Sequence, residues 1–442
     1  MKKGCLLIVF FLSLFWLTPS DANAQADVHL SVFKEAKKKI AIAVPDFLVT
    51  EIFELTDVSA VEGAGILKND LNLSGMFDII KPLKANDINR LDLNEEAIHY
   101  LEWENLGVHA VIKGEYAATE NEITFKLSLY DIVNRRYLVG KLYRGQKSHL
   151  RQIMHKFADE TVFQLTNETG IAQTKISFVS VESGHKELFV IDYDGYEKSL
   201  KRLSNDRSLI LFPDWSSDGK KIVFTSYKNN NPILKIVSLE KGKNKVIVNF
   251  PGLNANPTWS PDGKKIAFTS SKDGNPEIYV IDAKGNIKRL TFFRGIDTSP
   301  TWSPDGKKIA FTSDRSGTPQ IYIMDAEKGE KKMIKRITFA GFYNDQPAWS
   351  PKGDKIAYSS LIKNRSQIVI KDLKSGEEVQ LTKKGSSKES PTWSPNGWFL
   401  AFATTVLGES AIYILQANRP GIRRLTFLKG GGFFPAWSPV LN

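Results

Sequence analysis

From about residue 174 onward, apolar and polar positions alternate in short runs that end at sharp turns. One unit shows the pattern. Thr301-Trp302-Ser303 reads as a short inner strand and Pro304-Asp305-Gly306 as a tight turn; Lys308–Ser313, Ile321–Asp325 and Lys335–Thr338 then read as three further strands. Aspartate suits such a turn because it bonds its own backbone, and glycine because it accepts a positive φ. The unit recurs. Pro-x-Trp-Ser stands six times, with Trp215, Trp259, Trp302, Trp349, Trp393 and Trp437 separated by 44, 43, 47, 44 and 44 residues. Four short strands per repeat at this period predict a six-bladed β-propeller, one blade per tryptophan. Each indole supplies apolar mass between neighbouring blades.

The ring must also close. Trp437 opens a repeat that stops at Asn442, while Ile176–Ser180 and Glu187–Asp192 carry second- and third-strand patterns with no first strand of their own. The C-terminal strand is therefore expected beside these N-terminal strands, completing the sixth blade.

Upstream the period changes. Ile40–Val44 and Phe77–Ile80 read as buried strands, Val58–Phe77 and Glu95–Leu106 as helices, and Val108–Tyr116, Ile123–Asp131 and Arg136–Tyr143 as three strands in succession. A long helix then runs to about Thr166, with Ser148 as its cap and Leu150, Ile153, Met154, Phe157, Val162 and Phe163 at near-helical spacing. The expected organisation is an α/β N-terminal domain over residues 25–170 joined to an all-β six-bladed β-propeller over 171–442.

Residues 1–24 read differently. Lys2 and Lys3 precede an apolar run from Cys5 to Leu17, and Ala22-Asn23-Ala24 follows, the layout of a cleaved signal peptide. The run is shorter than the roughly 20 residues a membrane helix needs. Cys5 is the one cysteine of the chain, so the exported part would hold no disulfide and no thiol chemistry. A periplasmic location is expected. Residues 171–442 carry 41 Lys and Arg against 26 Asp and Glu. Export argues against nucleic acid as the reason, which leaves solubility and a bias toward acidic partners.

No enzyme declares itself. Trp-Ser-Pro-Asp-Gly recurs from blade to blade, which marks a turn and not a catalytic Ser/Asp pair. All six histidines (His29, His99, His109, His149, His155, His185) precede the first full repeat, so a His-based triad or His-ligated metal inside the ring is not expected. His149 and His155 read as exposed polar residues. Asp192-Tyr193-Asp194-Gly195 has the acidity of a calcium loop but lacks its later ligands and reads as a turn. No cofactor or metal site is expected.

The repeat Pro-x-Trp-Ser-Pro-Asp-Gly-Lys-x-Ile-Ala-Phe-Thr-Ser resembles that of the TolB family, propeller proteins of the Tol-Pal cell-envelope system. Asp192-Tyr193-Asp194-Gly195-Tyr196 and the ending Phe434-Pro435-Ala436-Trp437-Ser438-Pro439 are similar to that family too, as is the layout of leader, small α/β domain and six repeats. The resemblance covers essentially the whole chain after the leader. It implies a non-enzymatic, monomeric adaptor that binds the peptidoglycan-associated lipoprotein Pal through the propeller and so associates with the outer membrane. It further implies that the mature N-terminal segment meets TolA, supporting envelope integrity and constriction at division. Here that segment would be Asp27, Val28, His29, Leu30, Ser31 and Val32.

Blade geometry proposes a docking face independently. The connections from second to third and from fourth to next first strand share one side of the ring, and they are the varied ones. Varied loops on a rigid ring are where binding usually resides. They give Leu253, Asn254, Asn256, Asp297, Thr298, Asp345, Gln346, Glu389 and Phe433 as candidate Pal contacts around the channel mouth. The competing reading is a propeller that binds a glycan or small ligand in that channel.

Overall fold

Strand β1 (Ile40–Ala43) lies parallel to β3 (Phe77–Ile79) on one side and to β4 (Ala110–Ala118) on the other. Two antiparallel strands, β5 (Ile123–Asp131) and β6 (Arg136–Gly145), extend the sheet beyond β4, which also receives the short β2 (Leu48–Glu51). The computed structural model describes residues 39–441 apart from 53–56, 81–86, 90–91, 93–97, 229–230, 241, 384, 407 and 420. The leader and Asp27–Val32 lie outside them.

Helices α1 (Ser59–Leu73) and α3 (Leu150–Thr166) pack together on one face of this sheet. Gly63 is the reason they come so close. A Cβ there would stand 3.3 Å from both Leu150 Cδ1 and Phe125 Cζ. The opposite face is covered around Trp103 in α2 (Tyr100–Asn105), with Ala43, Val108, Val111 and Ile132. Two expectations are corrected here. The helix read over Glu95–Leu106 spans only Tyr100–Asn105 among the described residues, and Ser148 is not a cap. A 3-10 turn at Lys147–His149 leads into α3, whose start has no side-chain cap bond.

The propeller has six four-stranded sheets, all with neighbouring strands paired antiparallel. Their inner strands are Ile210–Trp215, Asn254–Trp259, Asp297–Trp302, Asn344–Trp349, Lys388–Trp393 and Phe433–Trp437, counted here as blades one to six. The closure expected from sequence is present. Phe433–Trp437 pairs antiparallel with β7 (Lys175–Ser180), and β8 (Glu187–Asp192) and β9 (Lys201–Arg202) finish that blade. Ser438 and Leu441 continue the seam by donating their N–H groups to Lys175 O and Gln173 O, each at 2.9 Å.

The tryptophans do more than fill space. Trp215, Trp302 and Trp393 donate Nε1–H to the carbonyls of Ala436, Thr258 and Ala348, in each case the preceding blade's residue just before its own tryptophan. On the far side from the channel mouth, Ser216, Ser260 and Ser303 donate to Asp218, Asp262 and Asp305 at 2.5–2.6 Å, so those side chains are spent on their own turns.

The α/β layer and the ring share one apolar core. Ile153, Phe157, Phe178, Ile191, Phe399, Ile412 and Trp437 belong to a single buried cluster that runs from α3 into blades five and six. Arg419 donates to Gly75 O at 3.0 Å and Arg423 to the carbonyls of Asp194 and Tyr193, which ties blade five to the α1 end and to blade six.

Candidate functional site at the channel mouth

Every inner strand begins with the same distortion. Pairing jumps from Ala255 to Thr258, from Thr298 to Thr301, from Asp345 to Ala348 and from Glu389 to Thr392, because the intervening proline has no N–H to give the ladder. The residue before each proline takes up the extra length in a left-handed conformation. Phe212, Asn256, Ser299, Gln346, Ser390 and Phe434 have φ between 49° and 56°. A non-glycine residue there costs roughly 1–2 kcal/mol. Six such residues in equivalent places form a rim whose side chains are aimed by the backbone and not by rotamer choice.

These six residues, their prolines and the next residues line a cavity of about 160 Å³, the central channel. The rim is two-sided. Phe212 and Phe434 stack edge to face at 4.6 Å between blades one and six, and the Lys186 ammonium lies 4.9 Å from the ring centre of the adjacent Phe433. Asn256, Ser299, Gln346 and Ser390 make the other side polar. Hydrogen bonds stitch that polar half from blade to blade. Ser299 donates to Asp345 at 3.2 Å, and Ser390 N–H donates to Gln346 Oε1 at 2.8 Å, making blade four the acceptor hub. Thr269 reaches the Thr298 hydroxyl at 3.3 Å.

Apart from Leu253, which sits in the connection just before its strand, the residues proposed from sequence lie in the first three positions of inner strands and not in connecting loops, because the bulge hides where each strand begins. They also divide by exposure. Asn254 is fully buried, donating to Pro232 O and Phe250 O at 3.0 and 2.7 Å. Asp297 is equally buried, held by Arg315 at 2.8 Å, and burial pushes its carboxyl up to about 6 despite Ser313 and that guanidinium. Both brace the rim from beneath. Leu253, Asn256, Thr298, Asp345, Gln346 and Phe433 are half-buried at the mouth, and Glu389 is exposed. Deeper in the channel wall, Asp214 accepts from Trp259 N–H at 2.7 Å and the Thr258 hydroxyl at 3.1 Å; burial pushes its carboxyl up to about 7.

The mouth side carries one feature that the sequence reading missed. Phe292, Phe339, Phe342 and Phe427 are 57%, 69%, 82% and 64% exposed on the connections between blades, with Tyr343 beside them. A signal was available in the repeated Arg-x-Thr-Phe of Arg289–Phe292, Arg336–Phe339 and Arg424–Phe427. In each, the arginine Nε donates to the threonine carbonyl at 2.6–2.7 Å and the guanidinium covers the phenylalanine ring at 4.7–5.1 Å. Such aromatic and arginine content is what protein interfaces concentrate. Among the described residues, no three His, Cys, Asp or Glu side chains gather as a metal-ligand set.

Comparison with known proteins agrees with this geometry. Residues 162–441 match the TolB beta propeller domain and residues 28–138 the TolB amino-terminal domain. A Tol-Pal system protein TolB of Desulfosudis oleivorans is 35% identical over 295 residues, 66% of this chain and 65% of that protein. A second, from Geobacter sulfurreducens, is 40% identical over 36% of each chain. These alignments span less than two thirds of the relatives' own length. The crystal structure of TolB from Acinetobacter baumannii superposes with a TM-score of 0.78 at 31% identity, covering 91% of this chain and 97% of that one. With a six-bladed ring, an α/β layer packed on it and both family domains matched, the chain belongs to the TolB family of the Tol-Pal system.

Proposed function

We propose that this chain is a non-enzymatic periplasmic adaptor that docks Pal on the channel-mouth face and presents residues 27–32 to TolA, supporting outer-membrane integrity and constriction during division. The observation that carries the reading is the group of exposed aromatic side chains, Phe339, Phe342 and Tyr343, beside a rim held rigid by six left-handed residues. Exposed apolar patches of this kind mark partner surfaces. Asn256, Thr298, Asp345, Gln346, Glu389, Leu253 and Phe433 supply the polar and apolar border, with Asn254 and Asp297 as buried supports. The channel of about 160 Å³ is smaller than the roughly 300 Å³ of an ordinary ligand cleft, which weighs against a glycan lodged inside it.

The TolA part of the proposal rests on the likeness of residues 27–32 to the family's N-terminal segment; these residues lie outside those the structure describes. The test is titration calorimetry of the mature protein against Pal from the same organism. Phe342→Ala is expected to weaken binding about tenfold or more, as a central aromatic contact does. Deletion of residues 25–33 should abolish TolA association and leave Pal affinity unchanged. Absence of Pal binding by the wild-type protein would refute the reading.

A further inference from the structure

The face opposite the channel mouth is divided by what lies on it. Over blades four to six the connection to the α/β layer runs across it. Glu168 pairs with Lys352 at 3.2 Å, Asn396 donates to Thr169 O at 3.0 Å, and Leu441 N–H bonds Gln173 O. Over blades two and three no described residue covers it, while Pro439 and Leu441 of the C-terminal tail lie against Gly219 in the turn of blade one. The tight turns of these three blades present Lys220-Lys221, Lys264-Lys265 and Lys307-Lys308, all exposed.

The chemistry of this open half is uniform. The turns 216–221, 260–265 and 303–308 and the connections 239–245 and 282–288 hold 11 lysines, five acidic residues and no arginine. Lys220 pairs with Glu240 at 3.2 Å. The ammonium groups of Lys221, Lys264, Lys265, Lys307 and Lys308 make no ion pair among the described residues. The arginines of the same blades, Arg289, Arg294, Arg315 and Arg336, lie toward the mouth side, where Arg289 pairs with Glu277 and Arg315 with Asp297 and Glu330. Arginine is the residue of fixed, bidentate recognition, whereas lysine is a hydrated point charge on a flexible stem, suited to a diffuse layer of negative charge. A surface of exposed lysines is what the negative potential of an anionic headgroup layer attracts.

We propose that the underside of blades one to three docks on an anionic phospholipid headgroup layer, with the lysine pairs as its electrostatic contact. This leaves the mouth facing away from the lipid and free for a protein partner. Each lysine near such a surface is worth about a fivefold change in partition.

The full mature protein would be sedimented with vesicles of phosphatidylcholine alone and of phosphatidylcholine mixed with phosphatidylglycerol, at low and physiological salt. Binding is expected only to the mixed vesicles, and it should weaken as salt rises. A variant carrying Lys264→Gln, Lys265→Gln, Lys307→Gln and Lys308→Gln should lose roughly 500- to 1,000-fold in partition. Its thermal melt should stay as in the wild type, because all four side chains are exposed, and Phe342→Ala on the other face should bind vesicles normally. No binding to the mixed vesicles at low salt, or equal binding by the quadruple variant, would overturn the proposal. So would capture of soluble polyglutamate without any vesicle binding, which would assign the face to an acidic protein.

Discussion

His155 Nδ1 stands 2.6 Å from Asp70 Oδ2, joining the two helices of the α/β layer directly beneath the propeller. Tyr193 of blade six donates to the other Asp70 oxygen at 2.9 Å, and Arg151 bridges His155 Nε2 at 3.2 Å and Asp194 at 2.6 Å. Because a guanidinium only donates, His155 accepts through Nε2 and its proton sits on Nδ1, facing Asp70. Burial pushes the Asp70 carboxyl up, against the hydrogen bonds from His155 and Tyr193. Removing one member of a buried polar pair strands the other. Asp70→Ala should therefore destabilise the protein by about 3 kcal/mol, and Tyr193→Phe by about 1 kcal/mol. Urea unfolding measures both, and limited proteolysis at 167–174 should quicken for Asp70→Ala alone.

The rim makes a prediction of opposite sign. Asn256 holds φ at 49° and makes no side-chain hydrogen bond to a neighbouring blade among the described residues, unlike Gln346, which accepts from Ser390. Asn256→Gly should hold or raise stability, whereas Asn256→Val should lower it by about 2 kcal/mol, since a β-branched residue resists this conformation most. Gln346→Gly relieves the same strain but removes the inter-blade acceptor, so it should be destabilising. A melting-temperature series across the three variants separates backbone strain from hydrogen bonding.

How far these features could be read from the chain depends on the range of the interactions behind them. The Pro-x-Trp-Ser turn is local chemistry repeated six times, so the blades, their number and the tail-to-head closure were legible. His155 was read as exposed because its partner lies 85 positions away in sequence. Asn254 and Asp297 were read as loop residues because a bulge at the following proline hides where the inner strand begins. The exposed phenylalanines were overlooked for a related reason. In Arg289–Phe292 the apolar Leu290 and Phe292 read as strand alternation, yet Leu290 is 1% exposed and Phe292 57%.

Asp214 gives the stability curve a pH dependence. Its carboxyl is held at about 7 by burial, against an ordinary 3.8, so the folded state keeps a proton that the unfolded chain gives up. Between those values the unfolded state is favoured as protons are lost, and this contribution to stability falls as pH rises through the window, then levels off above about 7. Asp214→Asn keeps an oxygen for Trp259 N–H and has no charge to bury. The variant should melt higher than the wild type at alkaline pH, and the gap should shrink steadily toward about pH 4. A gap that widens on acidification would contradict the buried-carboxyl account.

The last ten residues test whether the ring is one cooperative unit. Trp437 lies in the core shared with α3, and Ala436 lies in the separate cluster that joins blades six and one. Removing residues 433–442 would therefore open two apolar interfaces at once and leave β7 as a bare edge strand, the arrangement that invites aggregation. The loss of the Trp437 side chain alone is worth about 3–5 kcal/mol, a large part of the about 5–15 kcal/mol that holds a typical domain together. The truncated chain should lose its cooperative melt and aggregate. Removing only residues 440–442 deletes the Leu441 N–H bond to Gln173 and should lower stability by about 1 kcal/mol. If both truncations melted alike, the C-terminal strand would be an accessory to the sixth blade and not its closing member.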